Sequence, residues 1–328
     1  MTSPWRADFT ATTPFHHLAH LAEPLAGSDW PTLQRLNTLA EAQGLINAAG
    51  LPLRFAAQQV RCGQWDYEAG ILASGAVPSR EDNWHDLLNA LTWLAFPHAK
   101  AALNAVQCGE LGQRREVTQR REVTQRREVT QRREVTQRRE VTQRREVTQR
   151  REAARGPLSD AAVAQASRLH RPSRWEARRG PLSDAATLFD ESGLLLLGCD
   201  DELAELLAAR RWQEAFVARR PAWQDVRVYA FGHAVLEKLL APWPGITAKC
   251  LFLQVDSLPE AGSPAAWLDA ALAEAWRDGR VSRPAELFPL PVLGVPGWWP
   301  ANNDAAFYQD SKVFRPFPGV ANEVTRSA

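Results

Sequence analysis

Cysteine is scarce in this chain of 328 residues, and none of it is paired in sequence: Cys62, Cys108, Cys199 and Cys250 stand far apart. The lack of a C-x-x-C pair argues against zinc knuckles and redox dithiols and predicts a reducing, cytoplasmic setting. No apolar run approaches the roughly 18 residues needed to cross a bilayer, so no membrane partner is expected. The opening residues, Met1 to Asp8, lack the apolar centre of a signal peptide. P-loop, G-x-G-x-x-G, G-x-S-x-G and H-E-x-x-H patterns are also missing, which takes support from nucleotide, serine-hydrolase and zincin readings. Net charge is nearly nil, with 39 Lys+Arg against 38 Asp+Glu. That balance is uneven along the chain. Residues 113–152 carry 14 Arg and 7 Glu, which leaves the remainder at −6 of a formal total of +1. No nucleic-acid partner is therefore expected outside that one tract.

Present instead is a repeat. From Gln113 the hexamer QRREVT occurs six times without error and stops at Glu152. A second duplication places EAARGPLSDAA at Glu152 and EARRGPLSDAA at Glu176. Six residues are too few for a supersecondary unit, and packed repeats diverge rather than stay identical. Ion pairs four residues apart, such as Glu116 with Arg120, support a helix. Its residue types fall on three stripes about 120° apart, so valine never gathers on one face. Such a segment is a solvated helix or a disordered coil, not a core element. It reads either as an arginine-rich arm for RNA or acidic surfaces or as a tolerated insertion, the commoner fate of charge blocks. The predicted organisation is one core domain interrupted once. Residues 1–112 form its first half, 113–178 the low-complexity insertion, and 179–328 the second half with an extended C-terminal tail.

Periodicity predicts an α+β fold, mainly helical, with a small sheet in the second half. Helices are expected over 32–47, near 67–72, and from Ser79, with Ser79 as N-cap and Asp82 in a capping-box-like start. Trp84, Leu87, Leu88, Leu91, Leu94 and Ala95 then form an apolar stripe that Pro97 ends, opening a further helix through Asn104. In the second half, Ala186–Phe189 and Leu194–Leu197 read as a hairpin around the turn Asp190–Gly193. Strands are expected over 226–231 and 248–255, and helices over 203–207, 212–217, 234–240 and 265–276. Residues 284–318 read as a tail lying on the domain.

Three stretches resemble a bacterial domain-of-unknown-function family, number 3025. They are PSREDNWHDLLNALTWLAFPHAK from Pro78 to Lys100, LFDESG from Leu188 with FGHAVLEK from Phe231, and PLPVLGVPGWW from Pro289 to Trp299. The resemblance covers nearly all of the chain except about 113–178. It implies an uncharacterised protein and lends no activity, cofactor or partner, so the chemistry rests on side chains.

His85, Asp86 and Asn89 lie on the flank of their helix opposite the apolar stripe, interleaved with Trp93 and Phe96. That flank therefore faces protein too, and its polar groups need partners. His85 and Asn89, one turn apart, are placed to share a ligand or metal, and Asp86 to orient a base. His233 follows Gly232 at a strand end, where sites in α/β folds tend to sit, and Glu237 lies one turn on. Those two fit a base with its orienter, or two metal ligands. Asp190 and Glu191 fit a metal site or plain turn chemistry. His16, His17 and His20 lie near a terminus expected to be unanchored and carry no assignment. Gly297–Pro300 fits an aromatic clamp or the tail's anchor. The candidate catalytic set is His85, Asp86, Asn89, His233 and Glu237, with cofactor and metal unknown. The function expected is an acid/base- or metal-assisted hydrolase-like enzyme with no assignable substrate. The alternative is a non-catalytic binding or structural protein whose polar motifs are packing networks.

Overall fold

The computed structural model describes residues 4–58, 63–110, 180–259, 264 and 266–316. The hexamer tract lies outside the described residues. The described residues of the two stretches 4–110 and 180–316 group into one compact unit. Among the described residues no helix is long and apolar enough to cross a membrane.

The fold is α+β. A four-stranded sheet runs in the order β4-β3-β5-β6, with β3 Gly193–Gly198, β4 Val226–Ala230, β5 Thr247–Gln254 and β6 Phe288–Pro291. Strand β3 is antiparallel to β4 and parallel to β5. Its four consecutive leucines, Leu194–Leu197, are fully buried, as expected of a central strand covered on both faces. In the first half, β1 Arg54–Ala57 and β2 Ala76–Ser79 pair in parallel across the helix Gln64–Ser74. Gly75, at φ 68°, turns the chain from that helix into β2. A side chain there would strike the Pro52 carbonyl, so the left-handed turn requires glycine.

The helix Trp84–Ala95 is buried on nearly every side. Its N-cap is Asn83, whose side chain accepts the Asp86 amide, and not Ser79, which is the last residue of β2. Asp82 sits at φ 53° in the turn before it. Sequence periodicity cannot separate a strand end plus a tight turn from one more helical turn, and here the pairing of Ser79 with Ala57 decided for the strand. Phe96 breaks the helix, and Pro97 opens the next, over 97–110.

The expected hairpin is absent. Pro181–Ser192 is a helix that runs directly into β3. Pro181 at its first turn suits a helix start, and Leu182, Ala185, Ala186 and Phe189 make a stripe that packs on the sheet. The N-terminal segment is anchored as well, against expectation: Phe9, Phe15 and Leu18 are buried, and His17 meets the Ala230 carbonyl at 2.9 Å. The tail contributes β6 as an edge strand and then Tyr308, which stacks on Phe216, and Phe314, which meets Phe216 edge-on. Trp298 and Trp299 pack half-buried on the core.

Candidate active site

Three helices converge where the site forms. The Trp84 helix packs on the short helix His233–Leu239, which packs on Pro181–Ser192. Gly232 makes the last approach possible. A Cβ there would lie 2.4 Å from the Gly193 nitrogen and 2.5 Å from that of Ser192. The start of the His233 helix is thereby pressed against the end of the Pro181 helix, beside Asp190 and Glu191.

His85 and His233 meet across this junction. Their Nε2 atoms are 3.1 Å apart, with the rings nearly perpendicular at 79°. Behind His85, the Glu237 carboxylate lies 3.1 Å from Nδ1. A carboxylate only accepts, so this contact places a proton on His85 Nδ1. His233 is buried, and burial drives its pKa down to about 3 despite the opposing Asp190 carboxylate, so the ring is neutral. Its Nδ1 is buried without a hydrogen bond, 3.9 Å from Asp190 Oδ2. Glu191 Oε2 lies 3.7 Å from its Nε2. One donor atom each from His85, Glu191 and His233 falls within 4.8 Å of the others, a grouping able to hold a metal ion.

A second layer fixes this centre. Lys100, reaching from the 97–110 helix, is almost wholly buried; its ammonium donates to Asp190 and, at 2.8 Å, to Asn89 Oδ1. Burial pushes the Asp190 carboxyl up, but the Lys100 ammonium beside it holds it below its ordinary value. Asn89 in turn donates to the Tyr67 hydroxyl at 3.2 Å. Glu68 is buried and accepts from Asn104 at 2.7 Å. Burial, and then the charge of Asp190, raise its pKa to about 7.

These groups line a cavity of about 540 Å³. His85, Asp86, Asn89 and His233 all reach it, with Tyr67, Glu68, Asp190 and Glu191, while Glu237 stands behind His85. The predicted residues thus lie together, but three of the expected roles do not survive. Asp86 does not orient a base, because Arg80 takes both its oxygens, Nε at 2.8 Å and the second guanidinium nitrogen at 2.9 Å. Asn89 cannot share a metal with His85, because Lys100 and Tyr67 occupy its amide. Glu237 does not pair with His233 on its own helix; it serves His85. Sequence reasoning missed Tyr67, Glu68 and Lys100. For Lys100 a signal existed, a lysine one turn beyond Phe96 inside an apolar segment. For Tyr67 and Glu68 none did, since their helix has no clear apolar face.

The family described as proteins of unknown function, DUF3025, matches residues 53–136 and 157–317, and the chain belongs to it. The match reaches beyond the quoted stretches at both ends; it leaves out residues 1–52 and takes in 113–136 and 157–178, where the resemblance was expected to skip 113–178. No curated protein and no solved structure matches the chain.

Proposed function

We propose that the cavity is the active site of a hydrolytic enzyme acting on a small polar substrate in the cytoplasm. One observation carries this reading: His85 and His233 approach to 3.1 Å at the wall of a half-open polar cavity, with carboxylates on both sides. Imidazoles oriented by carboxylates are the usual means of activating water at neutral pH. The cavity lining offers no serine or cysteine among the described residues, and its Thr187 hydroxyl is bound to Gln107 at 3.1 Å. Water is therefore the nucleophile that fits. His85, with Nδ1 held by Glu237, presents Nε2 to the cavity, either to take a proton from that water or to ligate a metal ion that activates it. The cytoplasmic setting is supported by Cys108 and Cys250, both buried as free thiols.

A second reading has its own support. Arg80 and Asp86 form a closed pair, as do Lys100 and Asp190, and such networks also occur purely to hold elements together. Turnover separates the two. Wild-type protein and the variants His85→Ala and Glu237→Gln are assayed on chromogenic esters, phosphoesters and peptide amides. The enzyme reading expects turnover in at least one class, lost in His85→Ala and reduced in Glu237→Gln. Turnover in none, or equal turnover in all three proteins, favours the packing reading.

Residues 113–178 are proposed as a solvated insertion in the core domain formed by 1–112 and 179–328. The identical hexamers support this, as does the gap at 137–156 in the family match.

A further inference from the structure

The contact between His85 and His233 poses a proton-placement problem. The Glu237 carboxylate only accepts, so its contact calls for a proton on His85 Nδ1. On His233, Nδ1 is buried and faces the Asp190 carboxylate, the partner of Lys100, across 3.9 Å, a setting that suits an N–H rather than a bare lone pair. Both rings thus favour the tautomer protonated on Nδ1. Two Nε2 lone pairs are then left aimed at the same point from 3.1 Å apart. Glu191 adds a third electron-rich atom, 3.7 Å from His233 Nε2. Three acceptors converging with no donor between them is an arrangement that a cation resolves.

We propose that His85 Nε2, His233 Nε2 and Glu191 Oε2 bind one divalent first-row metal ion, of which zinc is the reference case. Nitrogens about 2.0–2.1 Å from a tetrahedral zinc lie about 3.3 Å apart, close to the 3.1 Å observed. The three donor atoms lie within 4.8 Å of one another, so the carboxylate closes in by up to about 1.5 Å on binding. It has room to do so, because the Glu191 side chain is 44% exposed at the end of its helix. Two imidazoles and one carboxylate, with no thiolate, select zinc-like ions over magnesium or calcium and over copper(I). Glu237 completes a carboxylate–histidine–metal relay through His85. Charge also closes: Glu191 and Glu237 offset two positive charges, while Lys100 already pairs with Asp190. Three protein ligands leave at least one position facing the cavity, the mark of a catalytic rather than a structural ion. Its role in turnover rests on the hydrolytic reading above, whereas its binding does not.

The test uses full-length protein stripped with a chelator, dialysed, and titrated with Zn²⁺ and, for its visible absorption, Co²⁺. The expected result is one equivalent bound, with a raised melting temperature. Binding is lost in His85→Ala and Glu191→Ala and weakened about 10–100-fold in Glu237→Gln. His85 and Glu191 are partly exposed, so both variants are expected to fold, which circular dichroism checks. Metal analysis of protein purified without chelators identifies the native ion, since the same donor set also suits iron(II). Folded wild type that takes up neither ion, or uptake unchanged in both alanine variants, overturns the site. Hydrolysis that survives complete stripping overturns the ion's role in turnover and keeps the hydrolytic reading. One bound equivalent without turnover on any substrate keeps the metal site and removes that reading.

Discussion

Gly232 donates its backbone N–H to the Gly193 carbonyl at 2.9 Å, and the two residues run so close that neither backbone leaves space for a side chain on Gly232. This contact joins β3, the end of the Pro181 helix and the start of the His233 helix, and it places His233 beside Glu191. Gly232→Ala is expected to destabilise the fold by about 1–3 kcal/mol, the usual range for forcing atoms into a packed interior. Because backbone must move, the His85–His233 contact should loosen too. Denaturant unfolding measures the first effect, and a wild-type unfolding midpoint would show that the junction is slack.

Leu91 is fully buried at the middle of the Trp84 helix. Leu91→Ala should cost about 2–5 kcal/mol from lost burial plus the residual cavity. Urea midpoints test this, and a change within error would mean that the helix repacks freely.

Lys100 is a buried cation whose charge answers Asp190. Lys100→Met leaves that carboxylate buried and unpaired, at a cost of about 3–5 kcal/mol. Adding Asp190→Asn removes the stranded charge and should recover much of the loss. A double variant as unstable as the single one would show that the lysine's packing, not its charge, is what matters.

Glu68 makes stability depend on pH with a defined sign. Its pKa rises from 4.5 unfolded to about 7 folded. Between those values the native state binds more protons than the unfolded chain, so this contribution is complete below 4.5 and is lost as pH rises through 7. Glu68→Gln keeps the acceptor for Asn104 but cannot ionise. The variant should match wild type near pH 4.5 and exceed it by up to about 3 kcal/mol at pH 8.5. Unfolding curves at the two pH values are decisive. A difference of the opposite sign would mean that Glu68 is held ionised by its neighbours.

Deleting Gln113–Thr148 should leave the melting temperature within about a few degrees, because the tract has no apolar face to contribute. Calorimetry of the deleted protein checks this; loss of the cooperative transition would make the hexamers part of the folded core.

Some of this protein was legible in its sequence. The apolar stripe from Trp84 to Ala95 specified a core helix, the run of leucines in β3 specified a buried strand, and the polar flank holding His85 and Asn89 announced itself through Trp93 and Phe96. These are local patterns, set by the 3.6- and 2-residue repeats of the backbone. The segment from Pro181 to Ser192 defeated that reasoning, since a short apolar run next to Asp, Glu, Ser and Gly satisfies a turn as well as a helix end. The site was further from reach. His85 and His233 are 148 positions apart, and nothing in either neighbourhood encodes the other. Only the packing of three helices, drawn together where Gly232 passes Gly193, set one imidazole against the other, gave Glu237 to His85 instead of His233, and put Lys100 on Asp190. Packing decides such pairings because they depend on where whole elements come to rest, and periodicity along a chain carries no information about that.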